Sequence, residues 1–216
     1  MTNMKREMMV ALVLALSTAG TSAAGMPIAP GLQGGNVRTL VGSAGSLNYA
    51  EMCPGPTPSG NAHCHLLLHS DPHGLATPAP APASFGALDL VSAYAIPFPV
   101  KGAPYPTVAV VSAYDNPNAE QDLGVYRNNW NQLSQWPMRP CTSANGCFQK
   151  VNQNGASSPL PTANANWGAE TDTEIELVSV GCPYCRILLV EANSTSLSDL
   201  AAAENTAVGL GANFIA

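Results

Sequence analysis

The sequence predicts an α/β fold: a mostly parallel sheet flanked by helices and incomplete at its C-terminus. Two mainly apolar runs rich in branched residues, Thr107–Ala113 and Arg186–Glu191, have the composition of strands that are buried on both faces. Segments with helical periodicity alternate with these runs, and such alternation indicates a parallel sheet. A third strand is predicted to begin at Ala212, only a few residues before the last residue, Ala216.

Four helices are predicted around these strands. In the first three, apolar residues recur at helical spacing. Two of the four begin with a capping residue: Asn116 is followed by Pro117, and Ser196 has Asp199 three residues later as a capping partner. The polar, turn-rich stretch 131–166 predicts no regular element. The predicted helices cover residues 85–94, the segment that follows Asn116, residues 166–180 and residues 196–211.

Three segments of different composition divide the chain. Residues 1–24 have the features of a secretory signal peptide, with a charged start, an apolar stretch and small residues at the expected cleavage site. Residues 25–83 are rich in Gly, Pro and Ala, and they predict a poorly ordered pro-segment or linker, with a stiff polyproline stretch at Ala76–Ala83. Residues 84–216 carry the predicted α/β domain. We therefore expect an exported protein, periplasmic or extracellular.

Charge is sparse and acidic in this chain. Only 10% of the residues are Asp, Glu, Lys or Arg, against about 25% in a typical protein. The net charge of −6 argues against a nucleic-acid partner. Beyond the signal peptide no apolar run is long enough to span a membrane, so we expect no membrane association once the signal has been removed.

The six cysteines of an exported chain are expected to form disulfides. Spacing narrows the fifteen possible pairings. One pair encloses a five-residue loop with an Asn-Gly turn, a second flanks Pro-Tyr, and the remaining two cysteines make the third pair. The predicted disulfides are Cys141–Cys147, Cys182–Cys185 and Cys53–Cys64.

Two acids one turn apart are the most informative feature of the predicted helix over 166–180. Glu170 and Glu174 stand at positions i and i+4, which share a helix face. Because like charges held close together cannot both ionise easily, one of the two pKa values is expected to rise, and a carboxylate with a raised pKa can serve as a general base. The alternative interpretation is a solvated acidic first turn, since acids favour helix N-termini.

The order and spacing of four segments resemble the sedolisin family of serine-carboxyl peptidases, which share the subtilisin fold. No single segment is decisive, but together they extend over about 130 residues, and this makes the match fairly specific. The four segments are 85–97, 108–123, 141–148 and 167–185, the last continued by 187–192 and 207–213.

The resemblance implies a peptidase site in which Glu170 is the general base. Glu174 falls where the family has the Asp that orients the base, and Ser112 falls where subtilisins have their Asp. The Ser nucleophile, the oxyanion Asp and the calcium site of the family would lie beyond the third strand. We therefore expect a truncated endopeptidase that is inactive alone, has no cofactor in this chain, would act on proteins or peptides if completed, and can self-associate through its open sheet edge.

Two other clusters allow different functions. Cys182 and Cys185 have the spacing of a glutaredoxin site, but a reactive cysteine is expected to begin a helix, whereas this pair follows one. Four histidines around Cys64 have spacings that can bind zinc, yet they lie beside Pro and Gly, and we predict no metal site. A non-catalytic secreted binding module and an exported thiol- or metal-binding protein remain the alternatives. The histidines are His63, His65, His69 and His73.

Overall fold

The computed structural model describes residues 37–42, 45–69, 87–97, 105–133 and 138–216. The predicted signal peptide and the polyproline stretch lie outside these ranges. The described residues form a three-stranded sheet, a four-stranded sheet and four helices. None of these helices combines the length and the apolar character that crossing a membrane requires.

The first sheet corrects the prediction of a poorly ordered linker over 25–83. It consists of β1 (Val37–Gly42), β2 (Gly45–Glu51) and β3 (Leu67–His69), all antiparallel. The Cys53–Cys64 disulfide closes the loop between β2 and β3. Backbone hydrogen bonds and this cross-link hold the sheet, so its strands do not need the long apolar runs by which strands are recognised in sequence.

The second sheet is wholly parallel, as the sequence predicts. Its spatial order is β5-β6-β4-β7, with strands β4 and β6 paired over seven residues. Strand β5 lies inside the stretch for which no regular element was predicted, and that prediction is wrong. The five residues of β5, Phe-Gln-Lys-Val-Asn, include three polar residues, so the segment is too polar to be recognised as a core strand, although three of its five side chains are buried. The strands are β4 (Thr107–Ala113), β5 (Phe148–Asn152), β6 (Arg186–Ala192) and β7 (Phe214–Ile215).

The four helices lie close to their predicted bounds: α1 (Ala87–Ala93), α2 (Ala119–Leu133), α3 (Ala165–Gly181) and α4 (Leu197–Gly209). Ser196 caps α4 as predicted, since its hydroxyl accepts the backbone N–H of Asp199. The Asp199 carboxylate does not complete the capping box, because it accepts from the hydroxyl of Ser194 instead.

Apolar clusters cover both faces of the parallel sheet. On one face, Val110 and Leu189 of the sheet pack with Leu123 of α2 and Ile175 of α3. On the other face, the sheet packs against α4. Burial on both faces explains why β4 and β6 are almost continuously apolar. Helix α3 is thereby pressed against β4, and this contact determines where its acids lie.

All three predicted disulfides are present, and the six cysteines leave no free thiol. Disulfides of this number in so short a chain indicate a non-cytosolic, oxidising environment.

Candidate functional site

Glu170 and Glu174 share α3 as predicted, and both side chains are half-buried. The Oε2 atom of each is buried without a hydrogen-bond partner. Burial, together with the negative charge of Glu170, raises the pKa of Glu174 to about 7, and the Ser112 hydroxyl opposes the rise. The predicted rise of a pKa in this pair is therefore found at Glu174.

The first turns of α3 are clamped to the loop that follows β4. Asn164 caps the helix by accepting the N–H groups of Asn166 and Trp167. Asn116 Nδ2 donates to the carbonyl of Gly168 over 3.0 Å. A Cβ atom built at Gly168 would lie 3.4 Å from Asn116 Cγ, at van der Waals contact, so helix and loop are closely packed at this point. These hydrogen bonds position the start of α3, and with it Glu170 and Glu174, relative to the sheet.

Ser112 faces α3 from the C-terminal half of β4. Its Oγ lies 2.7 Å from Thr171 Oγ1, and both residues are buried. Two residues later, Tyr114 has a φ of 66°, a left-handed conformation that is rare for an aromatic residue. Backbone strain of this kind often marks a functional site. The sequence analysis singled out Ser112 only because it falls where subtilisins have an Asp. The structure shows in addition that Ser112 contacts Thr171 of α3.

A segment of the N-terminal region lies across the same end of the sheet. Residues 60–62 run antiparallel to residues 195–197: the Ala62 N–H donates to the Thr195 carbonyl over 2.7 Å, and the Leu197 N–H donates to the Gly60 carbonyl over 2.9 Å. The N–H of His65 then lies 3.4 Å from Glu170 Oε1. The backbone of this segment therefore reaches Glu170, a contact that sequence reasoning missed because it joins residues 105 positions apart.

A second group of acids lies between α2 and α3 and was not predicted. Burial, together with the charge of Asp122, raises the pKa of Asp172 to about 7, against a hydrogen bond from Asn116. Burial and the charges of Asp172 and Asp122 raise the pKa of Glu176 to about 8. Burial also raises the pKa of Asp122. Asp172 and Glu176 favour protonation near neutral pH because their common environment is short of water and already negative.

Lys150, Asp115 and Glu191 form a third ionic group at the C-terminal ends of β5, β4 and β6. Lys150 Nζ lies 2.6 Å from Asp115 Oδ1 and 3.7 Å from Glu191 Oε1. Glu191 is fully buried, and its Oε1 accepts the Asn116 N–H. Burial raises the pKa of Glu191 to about 8, while the Asn116 N–H and Lys150 oppose the rise and Asp115 adds to it. The sequence showed Glu191 only as the end of an apolar strand.

The position of the Cys182–Cys185 disulfide in the fold argues against a role in thiol–disulfide exchange. Cys182 caps the C-terminus of α3, and Cys185 is buried just before β6. A thiolate is stabilised at the N-terminus of a helix, not at its C-terminus. The buried guanidinium of Arg127 also donates to the Pro183 carbonyl inside the loop over 2.6 Å. These contacts favour a structural disulfide.

The histidines do not converge on a common point in the described ranges. His63 Nδ1 is hydrogen-bonded to the Thr57 hydroxyl, and the rings of His63 and His65 meet edge to face at 5.1 Å. His73 lies outside the described residues, and no side chain of His69 is described. Within those ranges, no three side chains of His, Cys, Asp or Glu are grouped in a way that could hold a metal ion.

Comparison of the chain with protein-family models, with curated proteins and with solved structures finds no match. The sedolisin resemblance and the subtilisin-like arrangement therefore remain predictions from the sequence motifs. What the structure gives is the α/β class, the parallel sheet and the geometry of the acid pair.

Proposed function

We propose that Glu170 and Glu174 form the acid pair of a secreted serine-carboxyl endopeptidase site, with Glu170 as the general base and Glu174 as its partner. The observation that carries the proposal is the pairing of two half-buried carboxyls on one helix face, each with a buried Oε2 atom that lacks a hydrogen-bond partner. A pKa of about 7 at Glu174 lets this pair hold a proton that neighbouring groups can exchange near neutral or acidic pH.

An extended peptide is the substrate class that fits this site. The backbone of residues 60–62 pairs with residues 195–197, and the same segment continues to Glu170. Backbone pairing of this kind holds an extended chain irrespective of its side chains. The His65 N–H group, 3.4 Å from Glu170 Oε1, supports a peptide backbone as the group that approaches the proposed base.

The proposed reaction requires a serine nucleophile, and Ser112, the buried serine that faces α3, cannot serve as one. Ser112 faces α3, but it is only 1% exposed, so no peptide carbonyl can approach its hydroxyl. Removing the nucleophile of such a triad lowers the rate by about 10⁶-fold. Since Ser112 cannot serve as the nucleophile, we expect the chain by itself to be inactive.

The first experiment is casein hydrolysis by the purified chain between about pH 3 and 8, a range that covers carboxyl titration. We expect no cleavage at any pH. Turnover that Glu170→Gln abolishes would overturn the claim that the described residues lack a nucleophile, although it would support the role of the base.

The second experiment tests the peptidase itself. The genomic DNA that follows this coding region is sequenced, and any continuation with a serine in a Gly-rich turn is expressed together with the present chain. Glu170→Gln is expected to lower kcat by at least about 10²-fold, the contribution of a general base. Glu204→Gln, on the exposed side of α4, is the matched control and should retain full activity. Equal activity of both variants contradicts the proposal.

A second candidate is a non-catalytic secreted module that pairs through its open sheet edge. The observation in its favour is β7, an edge strand whose Phe214 is 62% exposed and whose Ile215 is 40% exposed. Unpaired edges with apolar side chains tend to add a strand from another chain. Self-association of the purified chain, with no activity in any extended form, would favour this candidate.

A further inference from the structure

The Cys53–Cys64 disulfide lies beside a cavity of about 420 Å³. Both cysteines line this cavity, together with Glu51, His63 and His65 among other residues. Cys53 is half-buried, whereas Cys64 is only 2% exposed. The cavity therefore gives a small thiol a path to this disulfide, and Cys53 is the more accessible of the two cysteines.

The same disulfide anchors the segment that lies against Glu170. Two residues before Cys64, the Ala62 N–H donates to the Thr195 carbonyl, and one residue after it the His65 N–H lies 3.4 Å from Glu170 Oε1. Cys53 follows the end of β2, so the disulfide joins the segment 60–65 to the antiparallel sheet.

Few other contacts hold the first part of this segment. The Leu197 N–H donates to the Gly60 carbonyl over 2.9 Å, and the Thr195 hydroxyl donates to Asn61 Oδ1 over 3.0 Å. Leu197 is the first residue of α4, where an N–H has no partner within the helix and can bind water instead. Since none of residues 60–63 is fully buried, apolar packing contributes little, and the position of the segment depends on the cross-link.

We propose that Cys53–Cys64 is a thiol–disulfide exchange site for a dithiol reductant, and that its reduction releases residues 60–65 from Glu170 and α4. The consequence for catalysis rests on the proposed role of Glu170 as a base. The exchange itself involves only residues 53–65 and the reductant.

The exchange proceeds in two balanced steps. One thiolate of the dithiol attacks Cys53 Sγ, the Cys53–Cys64 bond breaks, and Cys64 leaves as a thiolate that takes up a proton. The second thiol of the reductant then attacks the mixed disulfide and displaces Cys53, which is protonated in turn. The dithiol is oxidised to a disulfide, and its two protons and two electrons end on Cys53 and Cys64.

The other two disulfides close shorter loops that have hydrogen bonds of their own. Cys141 and Cys147 are six positions apart, and Asn145 Oδ1 accepts two backbone N–H groups between them. Cys182 and Cys185 are three positions apart, and Arg127 donates to the loop between them. Cys53 and Cys64 are 11 positions apart. Because closing a longer loop costs more entropy, an opened Cys53–Cys64 bond re-forms less readily than the other two.

The consequence is redox control of access to the acid pair. In the oxidised chain the backbone at His65 lies on Glu170 Oε1. After reduction the segment 60–65 keeps only its hydrogen bonds, which water can replace, and Glu170 becomes accessible to a peptide.

The first test is reduction of the folded wild-type chain by dithiothreitol, with samples alkylated at intervals and the modified cysteines located by mass mapping. Cys53 and Cys64 are expected to be alkylated at least about ten-fold faster than the other four cysteines, because the cavity exposes their disulfide. Equal rates at the three disulfides, or faster alkylation of another pair, would overturn the exchange site.

The second test is amide hydrogen exchange at Ala62 and Leu197, measured by NMR in a variant that combines Cys53→Ser with Cys64→Ser. Both amides are expected to exchange about 10²-fold faster than in wild type, the effect of losing a cross-link of this loop length. The matched control combines Cys141→Ser with Cys147→Ser and should leave both amides protected. Unchanged exchange in the first variant would overturn the release.

If the variant without Cys53 and Cys64 does not fold, the wild-type chain that has been reduced and alkylated at this pair alone supplies the same measurement. Neither test involves peptide hydrolysis. Failure of the peptidase proposal in the activity assays would therefore leave both results unaffected, and a segment that stays in place after reduction would leave the peptidase proposal unaffected.

Discussion

The Lys150 ammonium group lies 2.6 Å from the carboxylate of Asp115 and also donates to the Asn116 carbonyl over 2.8 Å. Through these contacts a single side chain from β5 holds the loop that follows β4. The same loop carries Asn116, which clamps α3 through Gly168. Because Glu191 of β6 lies within 3.7 Å of the ammonium, the C-terminal ends of three neighbouring strands converge on one cation.

Lys150→Met is expected to lower the free energy of unfolding by about 3 kcal/mol, because removing the ammonium group leaves the largely buried Asp115 carboxylate without its counter-charge. Chemical denaturation followed by circular dichroism measures the loss. Arg186→Met, at an exposed position of β6, is the control and should change little. Adding Asp115→Asn to Lys150→Met should recover part of the loss, because it removes the carboxylate that has lost its counter-charge. A Lys150→Met protein as stable as wild type would contradict this account of the cluster.

The chain is expected to be most stable at acidic pH. Glu176 and Glu191 have folded-state pKa values of about 8, and Asp172 and Glu174 of about 7, all raised mainly by burial. A carboxyl with a raised folded pKa contributes stability that is fully present below its unfolded pKa, near 4, and is lost as pH rises through 7 to 8. The melting temperature should therefore fall between about pH 5 and pH 8.5.

Glu176→Gln supplies the matched variant for this pH dependence, since a glutamine has the same shape but never ionises. Its melting temperature should fall less steeply over the same range, and at pH 8.5 it should exceed that of the wild type. Scanning calorimetry measures both. A wild-type chain that becomes more stable towards pH 8.5 would show that these carboxyls are not held in their neutral form.

Glu170→Gln should lower the pKa of Glu174 towards its ordinary value without reaching it. The variant removes the neighbouring negative charge, but burial, the larger cause of the raised pKa, remains. Carbon-13 NMR of the carboxyl gives the midpoint. Glu204→Gln on α4 serves as the control. An unchanged midpoint in Glu170→Gln would mean that the two carboxyls do not interact, and the acid pair would lose its electrostatic basis.

The Cys182–Cys185 disulfide is expected to be inert in thiol–disulfide exchange. Cys185 is 1% exposed, and Cys182 lies at the C-terminus of α3, where no helix dipole favours a thiolate. In an insulin-reduction assay the wild-type chain should be as inactive as a variant with both cysteines changed to serine. Activity that disappears in the double variant would instead favour the redox alternative.

The purified chain is expected to self-associate through β7. Phe214→Lys introduces a charge on this edge strand, and charges on edge strands oppose strand addition. Sedimentation velocity over a range of concentrations should show association of the wild type and its reduction in Phe214→Lys. Leu197→Lys, equally exposed at the start of α4, is the control and should associate as wild type does. A wild-type chain that stays monomeric throughout would contradict the prediction.

Features that depend on short stretches of chain could be predicted from the sequence. Continuous apolar runs predicted β4 and β6, a cap predicted the start of α4, cysteine spacing predicted the disulfides, and the i, i+4 rule put Glu170 and Glu174 on one face of a helix. Each of these signals is local, because the backbone repeats of helices and strands have short periods.

How these elements pack against one another could not be predicted from such local patterns. The sheet over 37–69, strand β5, the cation at Lys150 and the hydroxyl contact between Ser112 and Thr171 had no local signal. The last two of these join residues 35 and 59 positions apart. A polar residue in a sequence does not reveal its partner, because burial and pairing arise only when strands and helices pack. The charge and hydrogen bonding of Glu174 are therefore properties of the folded chain alone.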